Sequence, residues 1–112
     1  MILIIDDEEM LCDLISTIIG DRYSTKIISD FDSISKLEIE KIEMVITDNR
    51  IGNTYTSKDV CDVFKDTMIP IVLMTGNTGI ERNDSYVDYL FKPFKKQELF
   101  SVIEKHYKKE ER

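Results

Sequence analysis

Four apolar runs in this chain stop on a polar or charged residue, and this pattern limits the fold more than any other feature. Ile2-Leu3-Ile4-Ile5 ends on Asp6-Asp7, and Met44-Val45-Ile46-Thr47 ends on Asp48. Ile69-Pro70-Ile71-Val72-Leu73-Met74 ends on Thr75-Gly76, and Tyr86–Phe91 ends on Lys92-Pro93. Short continuous runs rich in isoleucine and valine read as strands buried on both faces. An ionised carboxylate closing such a strand is costly unless cations or donors meet it. Asp48 therefore poses the question of what the other strand ends bring to it.

Between the runs the period changes to helical. Leu11, Leu14, Ile15, Ile18 and Ile19 recur at helical spacing and Gly20 stops the helix. Tyr23–Ile28 is a less hydrophobic strand, suited to a sheet edge. Asp30 can cap a short helix carrying Phe31, Ile34 and Leu37. A polar loop from Asn49 to Ser57 leads to a helix with Val60, Val63 and Phe64 on one face. Residues 77–85 are polar, so any helix there is short. Residues 95–107 place Leu99, Phe100, Ile103 and Tyr107 on one face of a last helix, near whose end His106 reads as exposed.

Strands alternating with helices imply a parallel sheet with right-handed crossovers and helices on both faces. Five strands predict a doubly wound α/β domain of order 2-1-3-4-5, spanning residues 1–112 with no separate output domain. In that order the helices bearing Cys12 and Cys61 lie on opposite faces, so the two cysteines are expected to be free.

Composition narrows the function. With 112 residues, 42% hydrophobic and 33% charged, the chain reads as one soluble globular domain. No apolar run approaches the roughly 20 residues of a membrane span, and Met1–Ile5 meets acid at once, unlike a signal peptide. A cytoplasmic protein with no membrane partner is expected. The net charge of −7 argues against nucleic acid as a partner. Residues 92–112 reverse the balance with 7 basic and 4 acidic groups, read as a solvated last helix.

In doubly wound sheets, ligands bind beyond the carboxyl ends of the strands, where strand order reverses. Asp6-Asp7, Asp48, Thr75 and Lys92 all fall on that rim. Three carboxylates so placed repel one another unless a cation joins them. Oxygen ligands at this density suit Mg²⁺, with Mn²⁺ as a substitute. A carboxylate can accept a phosphoryl group, and Lys92 with the cation supplies the positive charge that the transferring group needs. The Thr75 hydroxyl can donate to a phosphoryl oxygen. No Walker-type loop or dinucleotide fingerprint is present.

On these residues the chain resembles a response-regulator receiver domain, the phospho-accepting module of two-component signalling (CheY-like superfamily, flavodoxin-like fold), along essentially its whole length. The resemblance implies that Asp6 and Asp7 in Ile-Ile-Asp-Asp-Glu hold Mg²⁺ and that Asp48 is the phosphoacceptor. It implies that the Arg50 backbone carbonyl is a further metal ligand. Thr75 in Leu-Met-Thr-Gly becomes the switch hydroxyl, and Lys92 in Phe-Lys-Pro-Phe the phosphate-pairing lysine before a cis proline bond. Tyr89 matches the switch aromatic, expected to turn inward on phosphorylation.

Two stretches depart from the family pattern. Ile51-Gly52 replaces the usual Met-Pro. Only 16 residues separate Thr75 from Lys92, fewer than is usual, which predicts a shortened fourth helix. The expected partners are a sensor histidine kinase or histidine phosphotransfer protein and a downstream protein target, with the chain a monomer or weak homodimer. The first helix carries apolar residues around about half its circumference, wider than the ~100° stripe a core needs. Leu11 and Leu14, nearest the acidic rim, are the candidate docking residues. The chain is expected to catalyse only its own phosphoryl transfer and autodephosphorylation. Two alternatives are a phosphorylation-independent binding module of the same fold and an aspartyl-phosphate phosphatase, which wants a second aspartate where Arg50 stands.

Overall fold

The structure, a computed structural model, describes residues 1–76 and 84–107. Its centre is a five-stranded parallel sheet built from β1 (Ile2–Ile5), β2 (Thr25–Ile28), β3 (Met44–Asp48), β4 (Ile71–Thr75) and β5 (Asp88–Phe91), in the order β2-β1-β3-β4-β5. This is the doubly wound order read from the sequence. β1, β3 and β4 are the inner strands, and β1, β4 and the first four residues of β3 are buried throughout, as their unbroken apolar runs require. Register aligns Ile5 with Thr47 and Asp48 with Met74, so the acids following β1 and ending β3 emerge on one rim. Pro70 lies just before β4, and its carbonyl accepts from the Val45 amide at 2.9 Å. The ring thus costs the ladder no donor.

Among the described residues there are three α-helices: α1 (Glu9–Ile19), α2 (Ser57–Phe64) and α3 (Lys96–His106). Side chains of α1 and α3 (Cys12, Ile15, Ile19, Leu99, Ile103) pack with Ile2, Ile4, Met44, Ile46, Val72 and Met74 on one face. Val60 and Phe64 of α2 join Leu3, Ile5, Val45 and Leu73 on the other. Cys12 and Cys61 are free and lie on opposite faces. No described helix is long and apolar enough to cross a membrane.

Two expectations need correction. The crossover from β2 to β3 contains no α-helix but two 3₁₀ turns, Asp32–Lys36 and Ile39–Lys41. Asp30 caps as expected, accepting from the Ser33 amide at 2.8 Å. However, the Ser35 hydroxyl bonds the Asp32 carbonyl at 2.9 Å, one of the local bonds by which serine competes with an α-helical backbone. The segment after Asp48 is not an irregular loop either. Arg50–Ile51 and Tyr55–Thr56 form a small antiparallel ladder that turns at Gly52, whose φ of +66° suits glycine. Ile51 is buried, and Tyr55 stacks on Phe31 at 4.3 Å, so nonlocal packing orders what reads as a polar run. Thr56 then caps α2 through a reciprocal pair with Asp59. The shortened fourth helix falls on residues 77–83, which lie outside the described residues.

Candidate functional site

The rim is built from four strand ends. Asp6 follows β1 and is fully buried. Its carboxylate accepts from the Glu8 amide at 2.9 Å, in the turn that starts α1. Asp7 faces outward and accepts from the Gly52 amide at 3.1 Å, tying the acidic pair to the hairpin after β3. Asp48 ends β3 with its side chain 19% exposed. Single carboxylate oxygens of Asp6, Asp7 and Asp48 lie within 4.8 Å of one another. Lys92 reaches in from the end of β5, its Nζ 3.1 Å from Asp48 Oδ1 and 3.4 Å from Asp6 Oδ2. It is aimed by a backbone bond from its amide to the Thr75 carbonyl (2.8 Å) and is followed by a cis Lys92–Pro93 bond.

The charges do not balance. Among the described residues, three carboxylates share one ammonium. Burial pushes the Asp6 carboxyl above its ordinary range, and the Asp48 charge adds to this, while the Glu8 amide and Lys92 pull the other way. Burial alone would lower the Lys92 pKa, but its hydrogen bond and charge interaction with Asp48, then those with Asp6, outweigh it and hold the ammonium protonated. All three acidic side chains offer hard oxygen donors with surplus negative charge, and this donor set fits a small divalent cation.

Thr75 is buried at the end of β4, one residue beyond the partner of Asp48. Arg50 is exposed and begins the hairpin ladder. Tyr89, expected to turn inward on phosphorylation, is already inside: it is buried, meets Tyr86 edge-on at 5.6 Å and stacks on Phe91 at 6.3 Å. Of the docking candidates, Leu14 is 54% exposed beside Met10 at 83%, whereas Leu11 packs partly against the α1–α3 side. The rim thus gathers Asp6, Asp7, Asp48, Thr75 and Lys92, and leaves Tyr89, Leu11 and Leu14 elsewhere.

Five contacts escape the sequence reading. The Glu8 and Gly52 amides are rim donors that side-chain motifs do not show. A hydroxyl chain joins Asn49, Ser57 and Tyr86. His106 is not exposed decoration: its Nε2 lies 2.9 Å from Asp88 Oδ2 and the side chain is 17% exposed. One helical turn beyond Ile103 faces the start of β5, a proximity that only the sheet order reveals.

No family model matches the chain. Its structure is similar to the receiver domain of NtrX from Brucella abortus, with TM-score 0.82 and 27% identity over 95% of this chain and 97% of that one. It also resembles the chemotaxis response regulator CheY4 of Vibrio cholerae, with TM-score 0.80 and 20% identity over 93% of this chain and 95% of that one. In sequence, 95 residues are 39% identical to the transcription factor SKN7 of Candida albicans, covering 74% of this chain and 16% of that protein. A match of 28% over 112 residues to the DNA-binding response regulator MtrA of Mycolicibacterium paratuberculosis covers 91% of this chain and 48% of that protein. The chain spans about half the length, or less, of these curated relatives. The expectation of no nucleic-acid partner rests on charge alone and gains no support from relatives so named. Fold, strand order and kinship agree: the chain is a CheY-like receiver domain of the response-regulator type.

Proposed function

We propose that this receiver domain acts in two-component signalling by accepting a phosphoryl group from a phosphohistidine partner onto Asp48. The observation that carries the reading is one lysine between two carboxylates. Lys92 Nζ is 3.1 Å from Asp48 and 3.4 Å from Asp6, with Asp7 completing the acidic cluster.

In the transfer, an Asp48 carboxylate oxygen attacks phosphorus. The P–N bond to the donor imidazole breaks, its electron pair stays on that nitrogen, and an acyl phosphate forms on Asp48. The protonated Lys92 offsets charge on the phosphoryl oxygens, and the Thr75 hydroxyl donates to one of them. Asp6, Asp7, Asp48 and the Arg50 carbonyl would hold Mg²⁺, or Mn²⁺ in its place. That cation supplies positive charge to the transferring group and relieves the carboxylate repulsion. Hydrolysis by water restores the Asp48 carboxylate and releases inorganic phosphate. Because the phosphoryl group adds about −1.5 to −2 charges, the rim rearranges and a downstream protein reads the new surface. Met10 and Leu14, exposed on α1 next to the rim, are where the donor protein docks.

Incubation with acetyl phosphate and Mg²⁺ followed by intact-mass measurement tests the reading. A single phosphate adduct is expected on the native chain and none on Asp48→Asn. An equal adduct on both, or on neither, refutes the assignment.

A further inference from the structure

Asn49 directly follows Asp48 and is clamped twice to the first residue of α2. The Ser57 amide donates to the Asn49 carbonyl at 2.9 Å, and the Ser57 hydroxyl donates to Asn49 Oδ1 at 3.1 Å. Ser57 is 1% exposed, so no water can replace either bond. Its single hydroxyl hydrogen is committed to Asn49, and the Tyr86 hydroxyl, 2.5 Å away, therefore donates to Ser57 Oγ. The Tyr86 ring meets Tyr89 edge-on at 5.6 Å, and Tyr89 stacks on Phe91 at 6.3 Å. Phe91 precedes Lys92, which returns to Asp48 at 3.1 Å. The path is closed, and it leaves the acceptor by Asn49 and comes back by Lys92.

Tyr86 also stands in the wall of a groove of about 720 Å³ between α2 and the start of β5, with Cys61, Phe64, Ile71 and Val87. We propose that Ser57 and Tyr86 are positioning residues that transmit the state of Asp48 to this groove. The inference rests on Asp48 being the phosphoacceptor. A phosphoryl group there pulls on Lys92 and displaces Asn49, the two ends of the path. Ser57 cannot turn to water, so its hydroxyl and that of Tyr86 must find partners together, and a buried pair so constrained has discrete arrangements. The Tyr86 hydroxyl also bonds the Cys61 thiol, so a rearrangement of the Ser57–Tyr86 pair reaches Cys61 directly.

Cys61 is thus a built-in reporter. It is half-buried, whereas Cys12 is fully buried, so Cys12 stays silent. The test is the alkylation rate of Cys61 by iodoacetamide, read by peptide mass, with and without acetyl phosphate and Mg²⁺. In the native chain the phosphate adduct changes that rate several-fold. In Tyr86→Phe and in Ser57→Ala the adduct still forms at Asp48, but each variant's Cys61 rate is the same before and after. Ser57→Ala keeps the environment of Cys61 closer to native, so it decides the matter should Tyr86→Phe disturb the fold seen by circular dichroism. An adduct that leaves native Cys61 reactivity unchanged, or variants that respond as the native chain does, overturns the coupling alone. No adduct on the native chain overturns the functional reading, and the coupling with it.

Discussion

Charge gathers at both ends of β5, and the two gatherings are balanced in opposite ways. At its start, Asp88 accepts from the Tyr89 amide at 2.8 Å and pairs with His106 at 2.9 Å and Lys105 at 3.8 Å. Just past its end, Lys92 serves Asp6 and Asp48, with Asp7 in the same cluster. One carboxylate has two basic side chains around it, and one cation is outnumbered by carboxylates. The pKa directions follow. At Asp88 burial raises the pKa, but the bonds from His106 and the Tyr89 amide outweigh it, and the net direction is down. At Asp6 burial and Asp48 prevail, and the direction is up. A satisfied cluster ties α3 to the sheet. An unsatisfied one is ready to take a ligand.

The largest expected effect tests that contrast at the rim. Mg²⁺ at a hundredfold excess over its Kd should raise unfolding free energy by about 2.7 kcal/mol through linkage. Denaturant midpoints should show this gain lost in Asp7→Asn and kept in Asp88→Asn. A gain that disappears with Asp88 would erase the distinction between the two ends. Next in size, Asp88→Asn should cost about 1 kcal/mol, the scale of a partly exposed pair, and leave phosphate uptake from acetyl phosphate unchanged.

The pH dependence sharpens the same point. The Asp88 pKa lies below its ordinary 3.8 in the folded chain. Its contribution is therefore complete above that value and is lost as pH falls through the folded pKa. Urea midpoints taken from pH 5 downward should fall further for the native chain than for Asp88→Asn, and parallel curves would show the pair contributes nothing. The smallest effect on stability belongs to the α1 surface. Leu14→Ala should stay within about 0.5 kcal/mol of the native chain. Transfer from a phosphohistidine protein should slow while uptake from acetyl phosphate does not. Equal slowing of both would place Leu14 in the fold rather than in docking.

The sheet and its rim were legible because both are local signals. Each strand carries its own apolar run, and each rim side chain is the residue that stops it. Topology then brings Asp6, Asp48, Thr75 and Lys92 together with no further information. What escaped reading is held by partners far away in sequence. Tyr55 finds Phe31, Tyr86 finds Ser57, and His106 finds Asp88, pairs that no period or motif marks. The 3₁₀ turns after Asp30 escaped for a subtler reason. Phe31, Ile34 and Leu37 suit either helix type, and the hydroxyl bond from Ser35 is a detail below the resolution of a hydrophobic pattern.

The unbalanced rim is expected to take a cation and then a phosphoryl group on one oxygen donor, Asp48. Peptide mapping of the acetyl phosphate product across a Mg²⁺ titration tests it most directly. Phosphate is expected on Asp48 alone, rising to saturation with Mg²⁺ and absent in a chelator. Phosphate on another residue, or uptake at Asp48 that is indifferent to Mg²⁺, would contradict it.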